Sequence, residues 1–204
     1  PFNTVLWGIM SVSIMIFYVI SSVGFMVFLR QKTVPDRAFM WSLRLGMALM
    51  LIGFGLGFLM TSPTTDQLAV LQAGGHLAMA GAHTVGAPDG GPGLSFLGWS
   101  TTNGDLRIAH FIGIHGAQVL ALVGWLLLAV SGGRGRFLSA SHRLALVVGA
   151  AVAYLGLTLS MAWQALRDQP LLKPDALTLS VWAGLLLGSV LYSGAVALHA
   201  RRFQ

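Results

Sequence analysis

Five stretches of this chain, 1–29, 45–65, 108–133, 144–166 and 176–200, run for more than twenty residues without a charged side chain. A helix that crosses a bilayer needs about 20 mostly apolar residues, so each stretch is long enough to span. Each also has hydrophobic side chains all round, which suits lipid rather than a half-buried soluble helix. The spans are expected at 4–29, 42–62, 107–131, 143–166 and 176–200, separated after the second by a long loop at 62–106. The expected fold is all-α: a polytopic helical membrane protein forming one membrane domain over 1–204. Its loop should be Gly-rich, extracytoplasmic and long enough to carry an interfacial or re-entrant helix.

Charge agrees with that reading. Only 12 Lys and Arg and 6 Asp occur, with no Glu, so 9% of the chain is charged, against about a quarter in soluble domains. The mean hydropathy of +0.77 leaves too little polar surface to face water. A net charge of +6 would point a soluble protein towards nucleic acid. Here nucleic acid is not an expected partner, and the basic residues set topology. With no Cys the chain has no disulfide, thiolate metal site, iron–sulfur cluster or thiol nucleophile.

A sixth uncharged stretch, 67–88, is long enough to cross but carries Gly74, Gly75, Gly81 and Gly86 with two His. Cytoplasmic loops are enriched in Lys and Arg, which separates the two topologies. With five spans, Arg30, Lys32, Arg37, Arg44, Arg134, Arg136, Arg143, Arg201 and Arg202 share one side, against Arg107, Arg167 and Lys173 on the other. A sixth span would reduce that nine-to-three split to seven-to-five. The stretch is therefore read as interfacial or re-entrant. The N-terminus and the 62–106 loop then face the extracytoplasmic side, and the C-terminus the cytoplasm. Trp7, Trp41, Trp163 and Trp182 fall near span ends, the headgroup level that Trp favours, while Trp125 and Tyr154 lie deeper and read as packing residues. The chain opens on Pro1 with a span almost at once and no signal-peptide pattern. We expect an N-terminally incomplete fragment whose upstream spans supply partners.

Small residues let helices approach closely in lipid. Gly53 with Gly57, and Gly184 with Gly188, have that spacing and are the expected contact stripes to membrane-protein partners or a second copy. Asp175 is placed to cap span five, Ser141 span four, and Asp105 span three. No span has a central Pro, so broken helices of the transporter kind are not expected.

The chemistry concentrates in the outer loop. Nine Gly fall between Gly74 and Gly104, interleaved with Pro88, Pro92, Phe96, Leu97 and Trp99, a composition for a loop that packs back on something. His76 and His83 are seven apart, one face of a helix. His110 and His115 are five apart, about 140° around a helix, and serve two faces. His115 is expected roughly 10 Å inside its span, flanked by Gly113 and Gly116, with Gln118 one turn on. Imidazoles at such depth usually face the bundle interior, which makes His115 the leading candidate. His142 and His199 read as solvated interface residues. The turn 88–93 has anion-nest chemistry without a Walker lysine, and no nucleophile, base and orienter occur at usable spacing.

The run GAHTVGAPDGGPGLSFLGWSTTNGDLRIAHFIGIHGAQ, with WQALRDQPLLKPDALTL further on, resembles a segment shared by uncharacterised multi-spanning bacterial membrane proteins. The resemblance covers most of the chain, implies a bacterial inner-membrane protein with additional hydrophobic segments upstream, and carries over no catalytic residue.

Two functions lead. One is a redox-type protein in which His115, with His110, His83 or His76, ligates haem b or a transition metal near the outer face, imidazole being a common ligand for both. Spans one, two and four offer no second His, so the loop or an upstream span would supply it. The other is a carrier or receptor whose outer loop is a lid over a pocket lined by His115, Gln118, Trp99 and Asp105. An accessory subunit of a membrane complex is the third reading.

Overall fold

A computed structural model of the chain describes residues 2–31, 34–77, 80–131 and 138–202, without the side chains of residues 2–4 and 7. The interface role expected of Trp7 and the placement of Lys32, Arg134 and Arg136 lie outside the described residues. The chain is mostly helical, and five of its helical segments are long and apolar enough to cross a membrane. Helix α1 is Phe2–Arg30, α2 Arg37–Gly57 and α3 Thr65–Gln72. They are followed by α4 Leu106–Ile114, α5 Gly116–Ser131, α6 Ala140–Leu166 and α7 Ala176–Arg202.

Several helices run past the charges that bounded the spans in the sequence: Arg37 and Arg44 lie within α2, Arg143 within α6, and Arg201 and Arg202 within α7. Long basic side chains can start inside a helix and find polar groups beyond it. Arg44 does so, donating from one Nη to the carbonyls of Leu29 (2.9 Å) and Gln31 (2.8 Å), and Arg143 pairs with Asp36. Asp36 also accepts the amide of Phe39 and so caps α2. The α6 cap corrects one expectation. Ser139, rather than Ser141, accepts the amide of His142, because only a residue just outside the helix has the extended backbone that aims its oxygen back at the first turn. Asp175 caps α7 as expected, accepting the amide of Thr178 at 2.8 Å.

Helix α2 is the hub, packing on α4, α5 and α6, while α7 lies on α6 and α1 on α2. The core is Leu49, Leu120, Val147 and Ala151, walled by Leu45, Leu127, Ala150, Tyr154 and Leu155. Glycine sets how closely these helices meet. A β-carbon on Gly53 would occupy the backbone of Gly113 and Ile114, and one on Gly46 would press on Gly116 and Ala117. Span one contrasts sharply. No part of its apolar window is buried, and edge-on contacts of Phe17 with Phe54 and Tyr18 with Phe58 tie it to α2.

Span three is divided into α4 and α5 at His115, whose backbone stays in the right-handed helical region (φ −79°, ψ −2°), and the two halves run on as one 26-residue span. The Tyr154 hydroxyl donates to the carbonyl of Ile112 at 2.6 Å, occupying an acceptor that a continuous helix would give to the amide four residues on. The same carbonyl also accepts the His115 amide at 3.2 Å, a tightened three-residue turn.

The loop between spans two and three is folded. Stretch 67–88 is not a sixth spanning helix: α3 has eight residues, about 12 Å of rise. A capping box of Thr64 and Gln67 starts it, and the Gln67 amide also grips Gly81, donating to its carbonyl (3.0 Å) and accepting its amide (2.8 Å). Gly81 has φ +88° against the carbonyl of Met60, so a side chain there would be both strained and obstructed. Strand β1 (Thr84–Val85) pairs antiparallel with β2 (Gly104–Asp105). Beyond β1 a second turn closes through a Gly93–Ser100 bridge and presents Phe96, at φ 66°, fully exposed. Of the loop's apolar residues, Trp99 packs back, its ring 5.6 Å from Phe111. Asp168, also at positive φ (56°), pins the loop to the end of α6. Its carboxylate accepts Asn103 Nδ2 at 2.9 Å and the amide of Gly104 at 3.2 Å.

Candidate functional site

Asp105 is fully buried where the loop enters span three. Its extended backbone at β2 sets it as the α4 cap, accepting the amide of Arg107 at 3.0 Å. The same carboxylate accepts the Ser100 amide at 2.8 Å, and Arg107 Nε and Nη at 3.0 and 2.6 Å. Burial pushes its pKa up, but the Arg107 guanidinium and the two amides outweigh burial and hold it below the ordinary 3.8. Four donors on two oxygens explain Asp105 as the knot that ties hairpin, strand and helix together. Arg107 also reaches the Gly98 carbonyl at 2.6 Å.

A cavity of about 450 Å³ lies beneath the loop, between spans one, two and three. Its floor is apolar, from Met10, Ile14, Phe54 and Phe58, and its polar rim carries His83, Asp89, Arg107 and His110. A second hollow of about 390 Å³ shares Ile14, Phe54, Phe58 and His110 and extends along span one past Phe17 and Tyr18. The two form one cleft between the loosely held α1 and the packed hub, with His110 where they meet.

Two of the four candidate imidazoles therefore come together. His110 Nδ1 is 2.8 Å from the Gly53 carbonyl, so it donates there and leaves Nε2 as the free nitrogen. The absence of a side chain at Gly57 makes room for the ring, since a β-carbon would stand 3.1 Å from it. His83 Nδ1 is 2.6 Å from Asp89. The Asp89 carboxylate also accepts the amides of His83 (3.2 Å) and Thr84 (2.8 Å). Partial burial raises the Asp89 pKa, yet those bonds and the nearby imidazole bring it below its ordinary value. The 88–93 turn thus folds its carboxylate back onto the loop backbone.

The other candidates lie elsewhere. His76 is exposed in the coil after α3, and neither it nor His83 is on a helix, so the seven-residue spacing confers no shared face. His115 is half-buried, its ring 4.5 Å from that of Phe111. Trp99, Phe111 and His115 form an aromatic row on the outer side of span three, with Gln118 exposed beyond it. Trp99, His115 and Gln118 thus share one face, and Asp105 sits apart within its cap. No group of three or more His, Asp or Glu close enough to hold a metal ion occurs among the described residues.

Sequence reasoning passed over Arg107 and treated Asp89 only as turn chemistry. The sequence signal for Asp89 is weak, a carboxylate six residues after a His across a Gly-Ala-Pro turn. For Arg107, the signal was a basic residue just inside a span, on the side poor in basic residues. At the opposite end of the bundle His142 Nε2 and His199 Nδ1 pair at 3.0 Å, an arrangement that needs α6 and α7 side by side. No family model matches the chain, and none of the curated proteins or solved structures is similar to it.

Proposed function

We propose that this chain is a multi-pass protein of a bacterial inner membrane that binds a small, mostly apolar molecule in the cleft under its outer loop. The observation that carries the reading is the cavity itself, with an apolar floor and a rim of His83, Asp89, Arg107 and His110. Binding sites are typically apolar hollows with a few convergent polar groups. Span one, which closes the cleft on one side, has no buried window, so the ligand enters sideways from the bilayer. The loop residues 80–89 act as the lid. The N-terminus and loop face outwards and the basic end faces the cytoplasm, by the nine-to-three distribution of Lys and Arg. Helix α3, with Leu68, Val70 and Leu71 exposed, rests in the membrane interface.

Ligand-induced stabilisation tests the reading. With decylubiquinone and a saturated fatty acid as probes, binding at 100 times Kd adds about 2.7 kcal/mol. That is roughly 5–10 °C of midpoint for a chain of this size. The shift should vanish in Ile14→Trp, which fills the cleft from the exposed side of span one. No shift with either probe, or an equal shift in the variant, refutes it.

A second reading, haem b or a transition metal in the same cleft, has its own support. Both rim imidazoles have Nδ1 engaged by an oxygen, Gly53 carbonyl for His110 and Asp89 for His83. Such outer contacts fix the tautomer and leave Nε2 for a ligand. Reduced-minus-oxidised absorption and metal analysis of the purified protein should then show a signal that His110→Ala abolishes.

A further inference from the structure

Gln118 stands 12 residues after Leu106 in a 26-residue span, about 18 Å along the helix and hence near the bilayer midplane. It is exposed, and its surroundings on the helix surface are Leu122, Trp125 and Leu126, all exposed as well. One turn earlier, His115 touches the Phe111 ring. Neither the Gln118 amide nor the His115 ring nitrogens hydrogen-bond to any described residue, whereas His110, on the inner side of the same span, bonds to Gly53. In hydrocarbon there is no water to satisfy such groups, so an unmet donor or acceptor there is costly. Polar side chains within spans normally face protein for that reason.

We propose that the Phe111, His115, Gln118, Leu122 and Trp125 stripe of span three is covered by the same stripe of a second copy, in a two-fold membrane dimer. The chemistry favours a like partner. A Gln side chain carries both donor and acceptor, and so does a neutral imidazole, so Gln118 can satisfy Gln118 of a copy related by an axis along the membrane normal. A two-fold contact requires this self-complementarity. The glycines of span three point inward and are already used against α2, so side chains rather than backbone would carry the contact.

The absence of Cys makes the test direct. Single cysteines at Val119, Leu122 and Trp125, and a control at the exposed Leu186 of α7, are oxidised in native membranes and resolved on non-reducing gels. Homodimer bands should appear at 122 and 125, fall by at least fivefold at 119, and be absent at 186. Introducing Gln118→Leu beside Leu122→Cys should cut cross-linking severalfold, and Gln118→Asn should retain it. Gln118→Leu lies on an exposed face, so the variant folds, and its unchanged thermal midpoint in detergent verifies that. Equal cross-linking at all sites, none at 122, or a cross-link to a different protein in place of the homodimer would overturn the proposal.

Discussion

Gly53 and Gly184 begin the same small-xxx-small spacing, yet the chain treats them in opposite ways. Gly53 lies against the backbone of Gly113 and Ile114, and Gly57 makes room for the His110 ring. Gly184 and Gly188 have no atom within 4 Å of where a β-carbon would be. They line an open groove between α6 and α7. Spacing of small residues states only that a close approach is permitted. Whether it happens depends on what the rest of the chain brings there, which for Gly53 is a second glycine on the facing helix. Span three repeats the contrast on its two sides. Its inner face meets α2 at backbone distance and satisfies its imidazole, while its outer face carries His115 and Gln118 with no described residue bonded to either side chain's polar atoms.

The sharpest way to break this comparison is to add bulk on each side of it. Gly53→Ala must force α2 and α4 apart and should cost about 3 kcal/mol. Gly113→Ala should behave alike, because the two contacts are one. Gly184→Ala, in open space on a helix, should cost nothing and can raise stability by up to about 1 kcal/mol through helix propensity. Equal losses at 53 and 184 would mean that the two stripes do not differ.

Comparable in size is Asp105→Ala. It removes the α4 cap and leaves the Ser100 amide and the half-buried Arg107 without their acceptor, for which about 3 kcal/mol is the scale of breaking a buried pair. Because the loss is local, proteolytic nicking in 93–104 should rise well before the spans melt. Smaller again is His110→Ala, which gives up one hydrogen bond to Gly53, about 1 kcal/mol, and some packing. His115→Ala, facing outward, should leave the stability of the monomer in detergent within about 0.5 kcal/mol of the parent. A larger loss from His115 than from His110 would invert the proposed inner and outer faces.

Acid gives the mildest perturbation. Asp89 and Asp105 both have folded pKa values below the ordinary 3.8. In the unfolded loop they take up protons first as pH falls, so the stability they contribute is complete above the ordinary carboxylate range. It is lost as pH drops from there through the lowered values. Pepsin digestion of the detergent-solubilised protein from pH 5 to pH 2 should therefore show the loop becoming cleavable only below about pH 4, with the spans intact. In Asp105→Asn most of that dependence should disappear.

Much of the fold was legible in the sequence. Five spans and the Asp105 and Asp175 caps follow from hydropathy and local hydrogen-bonding chemistry, which act over a few residues. The clustering of basic residues at one end also follows from the order of the chain. The candidate site was legible only in part. His83 and His110 were among the residues singled out, but their meeting in one cleft depends on a hairpin that carries residue 83 back beside Leu106, whose amide donates to the His83 carbonyl. Arg107 and Asp89 had no helical period to announce them. The hydrogen bond of the Tyr154 hydroxyl to the Ile112 carbonyl joins residues 42 apart in the chain, and no local pattern encodes it.

The sequence by itself determined that this is a chain of five apolar helices, roughly where they lie, and that its polar chemistry gathers around one loop. These follow from transfer free energies and capping, summed along the chain. The tertiary structure decided which glycine stripe is used, which imidazoles share a cleft and which face of span three is left bare. Each of these is a matter of what stands opposite a residue, and that is set by contacts between segments far apart in the chain.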